Sequence, residues 1–254
     1  MKTKEELARA YVLEQKKRHA WKVTPPHRAA VVVGNGPGAN IGAAIASRLT
    51  ADGFRVTSPT IAELDVTDPP SGYFAQEGAD TLVMCNGATH SNWFEDVSDE
   101  TVRRMFDVNV IGSLLTARRF VAETMDLGCR KHILFIGSTA YRAVLNGSVA
   151  YCAAKAALAH AVRCLAWELA PKGFDVYCVH PSNTEGTPMT EKTIQDIVRY
   201  RGLSREDAEV YWSANLPKGR WLNPRDIAEV VSFLVSGRAE YVSGANVDLS
   251  GGQR

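Results

Sequence analysis

From residue 29 onward the chain alternates between two hydrophobic periods. Val31 to Val33 form a short β-branched run, the pattern of a strand buried on both faces. Ile41, Ile45 and Leu49 then recur at helical spacing. Phe54 to Thr57, Thr81 to Met84 and Ile133 to Gly137 read as further strands. A long helix runs through Tyr151 to Leu169, and helical patches fall at Ile194 to Tyr200 and Glu206 to Trp212. Strands alternating with helices predict a single α/β domain, a doubly wound parallel sheet with helices on both faces.

One connection breaks that rhythm. The second strand ends at Ser58-Pro59, and the next extended segment runs from near Ala62 to Asp65. A parallel crossover normally needs a dozen or more residues. The few available span about 10–14 Å at ~3.3–3.6 Å each. The helix between strands 2 and 3 is therefore expected to be missing, with strand 3 a stub and that end of the sheet unusually open.

The 254 residues suffice for one sizeable core, and a net charge of +1 gives no electrostatic case for nucleic acid or a membrane surface. No run of about 18 apolar residues suggests a membrane span. Cysteines at 85, 129, 152, 164 and 178 are odd in number and lack metal-like pairing. They read as buried, reduced thiols of a cytoplasmic protein. The histidines are scattered, and no metal is predicted. Residues 1–27 differ: the first 28 positions carry a net +5, against −4 for the rest. Leu7, Tyr11 and Leu13 suggest a helical extension ending before Pro25-Pro26 and docked on this subunit or a neighbour. The remaining body spans 28–254.

Candidate chemistry concentrates in two places. After Val33 come glycines at 34, 36, 38 and 42, followed by the helix that begins near Ile41. A strand, glycine turn and helix N-terminus make a phosphate site, because glycines allow close approach and the helix offers free N–H groups. Further on, Tyr151 and Lys155 stand four apart, on one helical face, with Ser138 thirteen residues upstream. An ammonium near a phenol favours the phenolate and lowers a pKa that is ordinarily ~10. Ser138 can hold a carbonyl or alcohol oxygen while Tyr151 gives or takes the proton.

Asn35-Gly36-Pro37-Gly38-Ala39-Asn40-Ile41-Gly42 resembles the T-G-x-x-x-G-I-G cofactor loop of the short-chain dehydrogenase/reductase family. Asn35 stands for the threonine, and Asn40 for a glycine; asparagine tolerates the left-handed conformation. The likeness continues in order. Asp65-Val66 resembles the adenine-contacting pair, and Cys85-Asn86-Gly87-Ala88 resembles N-N-A-G. Asp107-Val108-Asn109-Val110 carries the family's asparagine, and Tyr151 to Lys155 is Y-x-x-x-K. Pro181-Ser182-Asn183-Thr184 resembles the loop that holds the nicotinamide amide. Gly219 to Ala228 and Val242 to Gly252 resemble two closing motifs. The match covers roughly 28 to 252.

The resemblance implies a Rossmann-type fold and NAD or NADP as cofactor. It implies a catalytic quartet of Asn109, Ser138, Tyr151 and Lys155, with Asn109 holding a water that links Lys155 to solvent. Cofactor contacts are expected from Gly34, Asn35, Gly36, Asn40, Ile41, Ser58, Asp65, Val66, Asn86, Gly87, Ala88, Tyr151, Lys155, Pro181, Ser182 and Thr184. Thr184 is favoured over Thr187 for the carboxamide. Ser58, Pro59 and Thr60 offer neither an acid for a ribose nor a cation for a 2′-phosphate, so NAD and NADP are not distinguished. The activity implied is interconversion of a secondary alcohol and a ketone or aldehyde. The alternative is a nucleotide-binding regulator that has lost chemistry. Enoyl reductases of this family place six residues between tyrosine and lysine, whereas three separate Tyr151 and Lys155. Residues 186–218 correspond to a substrate lid, and a homotetramer, or at least a homodimer, is expected.

Overall fold

A computed structural model describes residues 3, 5, 6, 9, 28–34, 40–214 and 216–253. The N-terminal extension lies almost wholly outside the described residues, as do Asn35 and Gly36.

Six parallel strands form one sheet in the order β2-β1-β3-β4-β5-β6. They are β1 (Ala29–Val33), β2 (Arg55–Thr57), β3 (Thr81–Met84), β4 (Lys131–Ile136), β5 (Phe174–Pro181) and β6 (Asn246–Leu249). The helices are α1 (Ile41–Ala51), α2 (Tyr73–Glu77), α3 (Asp99–Phe106), α4 (Gly112–Thr124), α5 (Val149–Leu169), α6 (Pro188–Arg201), α7 (Arg205–Ser213) and α8 (Pro224–Val235).

Alternation within the strands builds two cores. Val31, Leu82, Ile133, Phe135 and Val176 face a layer containing Phe120 of α4 and Leu158 and Val162 of α5. Val32, Val83, Leu134, Tyr177 and Val179 face Ile45 and Leu49 of α1 and Ile227 and Val231 of α8. Both faces are covered, which is why the central strands read as unbroken apolar runs. By composition alone α5 is long and apolar enough to cross a membrane, but its face from Ala150 to Leu169 is buried in the fold. Of the cysteines, Cys178 is buried whereas Cys164 is exposed, against the expectation of uniformly buried thiols.

No helix separates β2 from residues 62–65, in line with the sequence reading, but these residues do not form the expected stub strand; the short helix α2 lies between them and β3. Residues 58–72 contain neither helix nor strand, leaving β2 at the sheet edge. Local bonds explain this. Thr60 receives Glu63 N and Leu64 N on its carbonyl, and its own N–H and hydroxyl meet Glu63 Oε2 at 2.7 and 2.9 Å. Asp65 Oδ1 accepts from Thr67 N and Oγ1 at 2.9 and 2.8 Å. Side chains thus satisfy backbone groups that a strand would have presented to a neighbour. Leu64 and Val66 still plug the core. Gly112, where a Cβ would meet Val66 Cγ2 at 2.8 Å, makes room for the second plug.

Candidate functional site

The chain reverses direction across the sheet between β1 and β3, and the crevice at the C-terminal ends of these strands is where open α/β sheets bind ligands. The candidate residues gather there. At Gly34 the backbone turns left-handed (φ +87), and a Cβ would lie 2.5 Å from Asn86 N, so β1 and the segment after β3 touch. Asn40 is extended (φ −150) rather than left-handed, and its Oδ1 accepts from Ala43 N at 2.8 Å, capping α1. It therefore takes up one first-turn amide. Ile41 opens α1.

Asn86 donates to Val108 O and Ser113 Oγ at 2.9 and 3.1 Å, while its buried Oδ1 has no partner among the described residues. Gly87 is followed by Ala88, whose N–H and carbonyl both bind Asn109, at 3.2 and 3.0 Å. Asn109 is fully buried and sits in a π-helical turn, Asp107–Ile111, joining α3 to α4. Such turns are frequent at functional sites. Its Nδ2 also donates to Met105 O at 2.9 Å, so the side-chain amide clamps the Gly87-Ala88 segment.

Ser138 follows β4 and caps a 3-10 turn, Thr139–Tyr141, with Ala140 N donating to its Oγ at 3.2 Å. Tyr151 and Lys155 lie on the buried face of α5. Lys155 Nζ donates to Ile136 O at 3.2 Å and stands 5.8 Å from the Tyr151 ring centre. Burial pushes the phenol up to about 12, with the Ser138 hydroxyl pulling the other way. Burial also lowers Lys155 to about 8, against the nearby Cys178 and Cys85 thiols. The expected lowering of the phenol by the ammonium is not found. The ammonium is drawn to the Ile136 carbonyl, and desolvation dominates.

The remaining positions divide. Pro181 ends β5 beside Leu249, and Ser182 N donates to Leu249 O at 3.1 Å. Thr184 is buried and donates to Ser182 O at 2.9 Å, which leaves its oxygen as an acceptor. Thr187 caps α6, accepting from Thr190 N at 3.1 Å. At the outer end, Ser58 follows the edge strand, and Asp65 and Val66 lie in the turn described above. Hydrogen bonds from Thr67 hold Asp65 below the usual carboxylate range. Arg55 pairs with Glu77 at 3.0 Å at the opposite, N-terminal end of β2.

The open end of the crevice is crossed by α6. A Cβ on Gly87 would lie 3.3 Å from Met189 Cε and Asn109 Oδ1, and 3.8 Å from Lys155 Nζ. Arg201, at the other end of α6, lies 4.9 Å over the Trp93 ring and 4.8 Å over that of Tyr211, and donates to Asn146 O at 3.1 Å. The Asn86 oxygen, without a partner among the described residues, the Lys155 ammonium and the start of α1 fit a dinucleotide in the crevice.

A family model described as enoyl-(acyl carrier protein) reductase matches residues 74–254. An uncharacterized oxidoreductase of Methylorubrum extorquens is 36% identical over 175 residues, covering 69% of this chain and 66% of that protein. The (3R)-3-hydroxyacyl-CoA dehydrogenase of Homo sapiens is 25% identical over 261 residues, covering 89% of this chain and 95% of its own. A solved actinorhodin polyketide ketoreductase variant with NADPH superposes with a TM-score of 0.81 at 24% identity, over 90% of this chain and 98% of its own. The chain belongs to the short-chain dehydrogenase/reductase family and has its Rossmann-like fold. It is an oxidoreductase of that family, and solved structures it resembles include complexes with NADPH, NADH and NADP.

Proposed function

We propose that the protein interconverts a secondary alcohol and a ketone or aldehyde, with Tyr151 as general acid/base. The observation that carries this is the convergence of Ser138, Tyr151 and Lys155 at the end of β4, beside the bare Gly87. When bound, the nicotinamide carries the hydride. Ser138 holds the substrate oxygen. Tyr151, a protonated phenol at neutral pH, gives its proton to that oxygen in reduction and becomes a phenolate; in oxidation the phenolate takes the proton of the alcohol and returns to the phenol. Lys155, whose ammonium lies near Gly87, would hold the ribose hydroxyls of the bound cofactor. Asn109 positions the Gly87-Ala88 segment; its side-chain amide is engaged there, which favours clamping over a water-relay role for that amide.

Residues 186–218 act as the substrate lid, and Arg201 fastens it to the rim at Trp93 and Asn146. The three-residue gap between Tyr151 and Lys155 favours carbonyl chemistry over enoyl reduction. A polyol or sugar-like alcohol is the first substrate class to test, an aromatic or cyclic alcohol the second. Trp167 and Tyr241, 88% and 101% exposed, support a homotetramer or homodimer that covers them. A cytoplasmic location fits the scattered, reduced cysteines.

Binding and turnover measured together test the reading. NADH and NADPH titrations are run beside a screen of sugars, diols, cyclic alcohols and their ketones. Cofactor binding with turnover is expected; tight binding without turnover across the screen favours the regulator.

A further inference from the structure

His180 has no part in the mechanism above, yet it is fully buried directly behind Ser138. Gly137 N donates to Val179 O at 2.7 Å, the last rung between β4 and β5. Ser138 N is the first amide beyond that ladder and needs another acceptor. His180 Nδ1 lies 3.1 Å from it. The other ring nitrogen, Nε2, lies 2.9 Å from Asn246 Oδ1 on β6.

Nδ1 also lies 3.0 Å from Ser138 O, so it can accept from Ser138 N–H when unprotonated or donate to Ser138 O when it carries the hydrogen, and either neutral tautomer ties the ring to the serine backbone. Nε2 takes the complementary role toward the Asn246 side-chain amide. Tyr141, at the end of the serine's 3-10 turn, stacks on the imidazole with ring centres 4.0 Å apart. The space for this ring exists because residue 137 is glycine. A Cβ there would lie 2.3 Å from His180 Nδ1 and 2.5 Å from Cε1. Glycine and histidine are thus a complementary pair across two adjacent strands.

We propose that His180 is a positioning residue for Ser138, its neutral imidazole fixing the serine backbone and tying it to β6 through Asn246. This rests on the reading of Ser138 as the group that holds the substrate oxygen. It separates the two polar ends of the ring. Asparagine at 180 keeps a polar group near the Nδ1 position, facing the Ser138 backbone, and loses Asn246. Glutamine reaches Asn246 and presents nothing to the Ser138 backbone.

Reduction of acetoacetyl-CoA by the full chain, with NADH or NADPH in excess, provides one readout. Glutamine at 180 (His180→Gln) should lower kcat about tenfold, the effect of one lost hydrogen bond, with cofactor affinity unchanged. His180→Asn should restore most of the rate. In a Ser138→Ala background, His180→Gln should cost little more, because both act through one group. Equal losses in the two variants, or full additivity with Ser138→Ala, would overturn the proposal. Wild-type rates in Ser138→Ala would instead defeat the reading of the serine.

Nitrogen NMR of the imidazole in the wild-type chain at pH 7 gives an activity-independent readout. A neutral ring with both nitrogens hydrogen-bonded is expected. An imidazolium, or an Nδ1 free of any hydrogen bond, overturns the proposal whatever the substrate.

Discussion

Two lysines are buried at opposite ends of the same sheet, and they differ in what holds them. Lys131 starts β4 and is wholly buried. Its ammonium donates to Met125 O and Leu127 O at 3.4 and 3.2 Å, just past the end of α4, and lies 4.7 Å over the Phe174 ring. A cation at a helix C-terminus is favourably placed. Lys155, 3% exposed, donates only to Ile136 O among the described residues. Burial lowers both pKa values. A perturbed pKa alone therefore does not mark a functional lysine. What separates them is saturation of the Lys131 ammonium by the fold, and the place of Lys155 beside Tyr151 at the C-terminal end of the sheet.

Replacing each lysine by methionine sharpens this contrast most. Lys155→Met should lower kcat by ~10²-fold or more and weaken cofactor binding, read by steady-state kinetics and fluorescence titration. Lys131→Met should leave both unchanged and lower unfolding free energy by ~1–2 kcal/mol, the scale of helix-end and hydrogen-bond terms. Loss of activity in a folded Lys131→Met protein would erase the distinction.

The outer end of the crevice supplies the next test. Arg55 is turned to Glu77, and Thr60 is engaged by Glu63. With no acid or cation at positions 58, 59 or 60, the ratio of Kd values for NADH and NADPH should stay within ~10–30-fold, or about 1–2 kcal/mol. A thousandfold preference would reveal a charged contact from elsewhere in the chain.

The closed, N-terminal end of the sheet can be probed by pH. His132 is buried, and desolvation pushes it down to about 3; Asp175, 3.7 Å away, is pushed up to about 6. A depressed histidine binds its proton more readily unfolded, so its contribution is lost as pH falls from ~6.5 toward the folded value. Asp175 acts with the opposite sign, since the folded state holds its proton up to about 6. His132→Leu should reduce the slope of stability between pH 5 and 6 by up to ~1.4 kcal/mol per unit. Urea melts at a series of pH values measure it. Parallel stability curves for the two proteins would show that His132 is not the group titrating.

Much of the site was legible because its signals are local. Tyr151 and Lys155 are fixed by helical spacing, and the crevice follows from strand and glycine order. The stub strand was misread because Leu64 and Val66 do alternate into the core. The competing bonds of Thr60, Glu63 and Asp65 are side-chain choices that periodicity does not register. The phenol's direction was misread because spacing gives proximity but not burial. His180 was missed because its partners come from β6 and the end of β4. Gly137 was the available signal, since it abuts Val179 and His180 once β4 and β5 are aligned.

The central claim is that Tyr151 moves the proton while the rest of the crevice holds the cofactor. Measuring cofactor binding and turnover in the same preparations of wild type and Tyr151→Phe tests it most directly. The account predicts unchanged cofactor affinity and a kcat at least ~10²-fold lower in the variant. Wild-type turnover in Tyr151→Phe would contradict it.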